Sequence, residues 1–405
     1  MHCGFCLPAC PTYVSWGLEA DSPRGRIDLM KGIEEGTVAL DATTIGHFDA
    51  CLGCMGCVTA CPSGVRYDLL IESTRAQVEA AAPRSPGERL LRSALFALFP
   101  YPRRLAWLAR PIALMQQLGL QALLRRSGLV KLLPQPLRAL ERIAPTLVPT
   151  DLAQPLPPFT AAVGTKRGSV ALLTGCVQRA FFPNVNAATV RVLAAEGFDV
   201  LVFADQGCCG ALSLHVGRHD EAVRFAGDLV RRCGDLATVD AVIVNAAGCG
   251  STLKQYAELM PSDASAAAFE AKVRDVSEFL AEVGLVAPRR PMPLRVAYHD
   301  ACHLAHAQRI RAQPRELLRA IPGLELLEIP QGEQCCGSAG VYNVLEPGSA
   351  GEIGARKAAN VASVMPDLLA SANPGCTLQI AAALADLGMS VATAHPIELL
   401  DASLA

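Results

Sequence analysis

Cys51-Leu52-Gly53-Cys54-Met55-Gly56-Cys57-Val58-Thr59-Ala60-Cys61-Pro62 is the stretch that decides how this 405-residue chain is built. Three cysteines at three-residue intervals, then a fourth followed by proline, form the spacing in which thiolates hold a [4Fe-4S] cube while the last cysteine serves a neighbouring cluster. A second copy lies upstream as Cys3-x2-Cys6-x3-Cys10-Pro11. Cys3, Cys6 and Cys10 map onto Cys54, Cys57 and Cys61 at a constant offset of 51 residues, which puts the counterpart of Cys51 one residue before Met1. Crosswise ligation assigns Cys51, Cys54, Cys57 and Cys10 to a cluster with a full ligand set, and Cys3, Cys6 and Cys61 to a cluster lacking one ligand. Either the natural chain begins upstream and supplies a cysteine, or the open corner takes water or a foreign ligand. Zinc also uses paired C-x2-C, but zinc motifs do not call for three evenly spaced cysteines closing on Cys-Pro, twice over.

Composition narrows the class. With 36 basic and 38 acidic residues, the chain offers no general attraction to nucleic acid. Its length suggests two or three domains. No segment approaches the roughly 20 apolar residues needed to cross a bilayer. The first residues are cluster ligands rather than a basic and apolar leader. Sixteen cysteines at metal spacing belong in a reducing compartment, so the expected location is cytoplasmic, with peripheral contact at the cytoplasmic face of the inner membrane as an option.

Between the two cysteine motifs, Ser22-Pro23-Arg24-Gly25-Arg26 opens a helix with a serine cap and a proline in its first turn. Motif, helix, motif is the order of an α-helical ferredoxin, expected over residues 1–85. From Arg89 to Arg142, ten basic residues (Arg89, Arg92, Arg103, Arg104, Arg110, Arg125, Arg126, Lys131, Arg138, Arg142) face one acid, Glu141. Among them lie Leu95, Phe96, Leu98, Phe99, Trp107, Leu108, Leu114, Leu118, Leu120, Leu123 and Leu124. Such helices lie on anionic membranes, where each basic residue contributes on the order of 1 kcal/mol, or they pack on a partner subunit. This connector, with a proline-rich linker over 145–158, is expected to span 86–160.

The remainder is a duplication. Cys176, Cys208-Cys209-Gly210 and Gly248-Cys249 recur as Cys302, Cys335-Cys336-Gly337 and Gly375-Cys376, at offsets of 126, 127 and 127. Each half repeats strand, helix, strand, Cys-Cys-Gly, helix, strand: 170–173, 200–203 and 241–244, then 294–297, 324–329 and 368–370. Alternating strands and helices imply a parallel sheet in each half, with the cysteines at the strand ends where such sheets carry their sites. The expected class is α+β multidomain: an N-terminal α-helical ferredoxin domain, then two α/β Cys-Cys-Gly domains at 161–288 and 289–405.

Folding gathers four sulfurs per half, and an adjacent Cys-Cys pair suits neighbouring irons of a cluster better than one tetrahedral ion. Cys176, Cys208, Cys209 and Cys249, and Cys302, Cys335, Cys336 and Cys376, are therefore candidate ligands of a further iron-sulfur cluster; the alternative is structural thiols beneath glycine-rich turns. The arrangement resembles the Cys-Cys-Gly domain of heterodisulfide reductase catalytic subunits. That family's motif ends in C-x2-C, whereas Thr252 and Gln379 stand at its last position here, which puts a five-thiolate cluster in doubt. His299, His303 and His306 surround Cys302 and can donate to a sulfur, ligate iron, take a proton from a quinol, or serve only as satisfied loop residues. Cys233 has no counterpart in the other half and reads as a buried thiol.

The run from Met1 to Tyr13, Asp21 to Arg26, Asn186-Ala187-Ala188-Thr189, Gly207 to Gly210, His306-Ala307-Gln308 and Cys335 to Gly340 together resemble the iron-sulfur subunits of glycolate oxidase, over nearly the whole chain. The resemblance implies a glycolate dehydrogenase complex in which separate FAD-binding subunits oxidise glycolate to glyoxylate. This chain would carry two [4Fe-4S] clusters and pass electrons to a quinone-type acceptor, with no catalytic residue of its own and no activity on glycolate alone. No G-x-G-x-x-G follows a strand, so a dinucleotide held in that way is not expected. Alternatives are the iron-sulfur subunit of a lactate-utilisation or anaerobic glycerol-3-phosphate dehydrogenase complex, a heterodisulfide-reductase-like catalyst, and a scaffold that has lost its metals.

Overall fold

The computed structural model describes residues 3–147, 156–203, 205–234 and 236–405. Most of the proline-rich linker, residues 148–155, lies outside them. The N-terminal part is helical, with helices Pro11–Trp16, Pro23–Glu34, Ala42–Asp49, Gly56–Ala60 and Tyr67–Ala81. Ser22 caps the second as its sequence indicates, its hydroxyl accepting from the Gly25 N–H at 3.0 Å. Ile45, Phe48, Tyr67, Ile71 and Val78 close over Cys51 and Cys57 to form a small core.

Four helices follow, Pro86–Leu98, Pro102–Gln117, Leu120–Ser127 and Gln135–Arg142. They do not present one continuous apolar face. Leu95 and Phe96 turn inward against Val341 and Val344 of the second half, whereas Trp107, Leu114, Leu118, Leu123 and Leu132 are exposed. Several of the cations are also committed to partners. Arg92 is buried with Glu79 and Glu88, and Arg142 pairs with Asp386 at 2.5 Å.

The duplicated halves are two sheets. The first orders its strands β1-β3-β2-β4-β5, comprising β1 Phe159–Thr160, β2 Gly168–Leu173, β3 Phe198–Val202, β4 Ala241–Val244 and β5 Val273–Asp275. The second orders its strands β7-β6-β8-β9, comprising β6 Arg295–His299, β7 Glu325–Glu328, β8 Leu368–Ser371 and β9 Ala392–Ala394. All pairings are parallel except the edge strand β1, which runs antiparallel to β3. The central strands are those of the sequence reading. The added strands β1, β5 and β9 have two or three residues each, too few to show a period in sequence.

One core joins the halves: Val170, Leu172 and Val200 share it with Val296, Tyr298 and Ile397. Glu196 and Arg289 form a buried ion pair across the same seam. The first half also docks on the helix Tyr67–Ala81. Gly217, at φ +87°, brings its backbone so close that a Cβ there would stand 2.2 Å from the Arg75 carbonyl oxygen. Gly217→Ala must therefore both strain a left-handed residue and push these two parts apart. The expected loss is about 2 kcal/mol or more, read as a lower urea midpoint against the wild-type chain.

Candidate metal centres

Cys10 arrives from the residue preceding helix Pro11–Trp16, and Cys51, Cys54 and Cys57 from the loop leading into helix Gly56–Ala60. Left-handed turns at Gly53 and Met55, at φ +61° for each, fold that loop around a cavity. All four cysteines line this cavity, together with Thr12, Arg26 and Tyr67. The Gly53 N–H and the Tyr67 hydroxyl point at the Cys51 sulfur, at 3.4 and 3.6 Å. Burial raises the Cys51 thiol, but the Arg26 and Arg75 guanidiniums outweigh it and hold Cys51 below the usual thiol value. Cys54 and Cys57 go the other way, raised by burial and by neighbouring sulfurs. A bound metal would keep such thiols ionised where the protein alone does not.

Of the second set, Cys3 is exposed and Cys6 and Cys61 are half-buried. Cys6 packs toward Cys51 and Cys57 in the helical core. This set therefore lies nearer the surface than the first.

In both halves the cysteines collect at the carboxyl edge of the parallel strands. Cys176 follows β2, Cys208 and Cys209 follow β3, and Cys249 lies in helix Ala247–Leu253 after β4. Cys302 follows β6, Cys335 and Cys336 follow β7, and Cys376 lies in helix Pro374–Asp386 after β8. The Cys176 and Cys208 sulfurs stand 3.7 Å apart. The glycines closing each motif have the same geometry. Gly210 at φ +85° and Gly337 at φ +88° leave room for a Cβ only 2.9 and 2.7 Å from the Ala222 and Ala350 carbonyl oxygens. Thus the motif needs glycine both for its backbone angle and for helix approach.

The two halves are placed differently toward the N-terminal domain. Cys302 and Cys335 pack in one cluster with Cys54, Leu52, Tyr342 and Ile353. His303 Nε2 meets the Gly53 carbonyl at 3.0 Å, and His306 Nδ1 meets the Thr59 hydroxyl at 2.7 Å with its Nε2 on the Glu333 carbonyl at 3.0 Å. These two histidines fasten the second half to the loop that carries Cys51 and Cys54 and to helix Gly56–Ala60 after it. His299 makes no such bond at either ring nitrogen. Thr252 and Gln379 are buried, and the Gln379 amide is engaged at both ends, donating to the Ala350 carbonyl at 2.9 Å and accepting from Asn343 at 3.1 Å. Cys233 is 3% exposed, its thiol pushed up to about 12 by burial, in the same apolar core as Cys209.

Glu72 was not singled out by sequence, where it is one helical acid among many. In the fold it is half-buried, with its enclosed Oε1 lacking a hydrogen-bond partner, 3.9 Å from His215 Nδ1, and the His215 ring lies against His303 with centroids 4.7 Å apart.

Comparison with known families matches residues 1–65 to the "4Fe-4S dicluster domain". Residues 87–144 match the "Glycolate oxidase iron-sulfur subunit, linker region", and residues 170–254 and 296–381 match the "Cysteine-rich domain". The chain is 37% identical to the probable glycolate oxidase iron-sulfur subunit of Bacillus subtilis, over 99% of this chain and 92% of that protein. Identity to the glycolate oxidase iron-sulfur subunit of Escherichia coli is 34%, over 95% and 89% of the two chains. Lactate utilization protein A of Shouchella clausii is 26% identical over 58% of this chain and 98% of its own length.

Burial raises Glu72 from an ordinary 4.5 to about 7. Because the folded-state value lies above the unfolded one, the protonated form is favoured in the fold; this contribution is intact below pH 4.5 and is lost as pH rises through about 7. Glu72→Gln removes the penalty for ionising a buried carboxyl. Its stability advantage over the wild type is expected to be on the order of 2 kcal/mol larger at pH 8 than at pH 5 in paired urea titrations; an equal advantage at both pH values would refute the assignment.

Proposed function

The chain belongs to the glycolate oxidase iron-sulfur subunit family, and on that premise we propose that it relays electrons from an FAD-binding partner, which oxidises glycolate to glyoxylate, to a quinone-type acceptor. Removing a hydride from a 2-hydroxy acid requires an organic two-electron acceptor, whereas iron-sulfur clusters pass single electrons. The division of labour follows: substrate and flavin on the partner, clusters here.

The observation that carries the reading is the convergence of Cys10 with Cys51, Cys54 and Cys57 on one cavity, as crosswise ligation requires. These four are the proposed ligands of one [4Fe-4S] cluster. Cys3, Cys6 and Cys61 are proposed for a second, with one ligand from elsewhere. The packing of Cys54 against Cys302 and Cys335 supports a further iron-sulfur centre in the second half, held by Cys302, Cys335, Cys336 and Cys376. Cys176, Cys208, Cys209 and Cys249 are the corresponding candidates in the first. The lactate-utilisation relative keeps a second reading open, in which the donor is lactate. Coupled assays with glycolate, lactate and glycerol 3-phosphate separate these donors.

The helices of residues 86–142 are proposed to rest on the cytoplasmic face of an anionic membrane through Trp107, Leu114, Leu118 and Leu123, with Arg110, Arg126 and Lys131 exposed among them. Among the described residues no helix is long and apolar enough to cross a membrane.

Cys54→Ser and Cys10→Ser should abolish electron delivery to quinone or dye in the assembled complex while the partner's flavin is still bleached by glycolate. Flavin that no longer reduces in these variants would contradict the proposed relay. For the surface helices, Trp107→Glu with Leu118→Glu should lower co-sedimentation with anionic vesicles by about tenfold or more, without changing the melting curve. Unchanged binding would leave those helices to a protein partner.

A further inference from the structure

His299 is the last residue of β6 and is 1% exposed. Neither of its ring nitrogens has a hydrogen-bond partner. A polar group buried in that way costs about 1–3 kcal/mol, and a bond to a metal removes that cost at one of the two nitrogens. One His299 nitrogen and the sulfurs of Cys336 and Cys376 all lie within 4.8 Å of one another. Donors about 2.0–2.3 Å from one tetrahedral metal atom stand roughly 3.5–3.8 Å apart, so this spacing is close to what a shared metal site needs.

The surroundings single His299 out. His303 and His306 are hydrogen-bonded to the N-terminal domain. Gln379, at the position where the Cys-Cys-Gly motif otherwise ends in a cysteine, has its amide engaged and offers no donor. In the first half, at the offset of 126 set by Cys176 and Cys302, the counterpart of His299 is Leu173. At the offset of 127 set by the Cys-Cys-Gly motifs, the counterpart of Lys357 is Val230. Lys357 itself is buried, donates to the Gln331 and Gly332 carbonyls at 3.0 Å, and faces Cys335, Cys336 and Cys376. A buried cation suits a site that carries thiolate charge. The first half has apolar side chains at both places.

We infer that the second half holds a mixed-ligand iron-sulfur centre in which His299 supplies a nitrogen ligand beside Cys302, Cys335, Cys336 and Cys376, a ligand the first half lacks. The inference rests on the proposed cluster in this half and specifies its coordination. A neutral imidazole in place of an anionic thiolate makes the centre less negative and raises its potential, as histidine ligation does in Rieske centres.

The test is pulsed EPR of the full chain, reconstituted anaerobically and partly reduced, with iron analysis and a redox titration on the same samples. Wild type should show the hyperfine coupling of a directly bound 14N. His299→Leu should lose that coupling. His299→Cys should also lose it, while keeping the wild-type iron content and titrating at a lower potential, which separates a ligand's role from a folding role. Coupling that persists in His299→Leu, or is absent from wild type although Cys336→Ser loses iron, overturns the inference and leaves the cluster reading intact. If Cys336→Ser and Cys376→Ser lose no iron, the cluster reading itself fails, and this inference with it.

Discussion

The loop from Cys51 to Cys57 is held from both sides by the duplicated halves, and the rest of the molecule is arranged around that clamp. Arg75 donates to the Cys51 carbonyl with one arm of its guanidinium and to the His215 carbonyl of the first half, at 2.7 Å, with another. His303 and His306 reach in from the second half. With two left-handed residues, Gly53 and Met55, the loop keeps its shape only where its surroundings hold it. Rigid neighbours supply what local packing cannot.

The same region gathers charge that a dry interior does not tolerate unpaired. Arg26 is 1% exposed, yet it donates to the His47 carbonyl at 2.6 Å and to Thr12 at 3.3 Å, and lies 3.4 Å from Asp21. Its positive charge and that of Arg75 act on Cys51. Isolated, such a cation would be expensive to bury; Asp21 is one counter-charge to Arg26, and the cluster proposed for these cysteines would be a further one for both arginines.

Duplication produced two frames that diverged in use. Both keep the strand order around β2 and β6 and the same close approach at Gly210 and Gly337. Among the described residues, only the second half meets the Cys54 side of the N-terminal domain, and it places His299 and Lys357 among its sulfurs. The first half instead buries Leu173 and Val230 at the matching positions. Symmetry of the backbone has survived where symmetry of the chemistry has not.

Sequence by itself determined the element order, the central strands, the serine-capped helix and every cysteine at the candidate centres, because metal-ligand spacing and the repeat offset are one-dimensional patterns. It also separated Cys233 from the rest, through the lack of a repeat partner. It could not rank His299 above His303 and His306, since three histidines near one cysteine look alike until their hydrogen bonds are known. Nor could it find Glu72, whose burial depends on helix Tyr67–Ala81 meeting the first half, or divide Leu95 and Phe96 from Trp107 and Leu118. Those distinctions turn on which face of an element another element covers. Contacts between segments a hundred or more residues apart decide them, and such contacts leave no periodic trace along the chain.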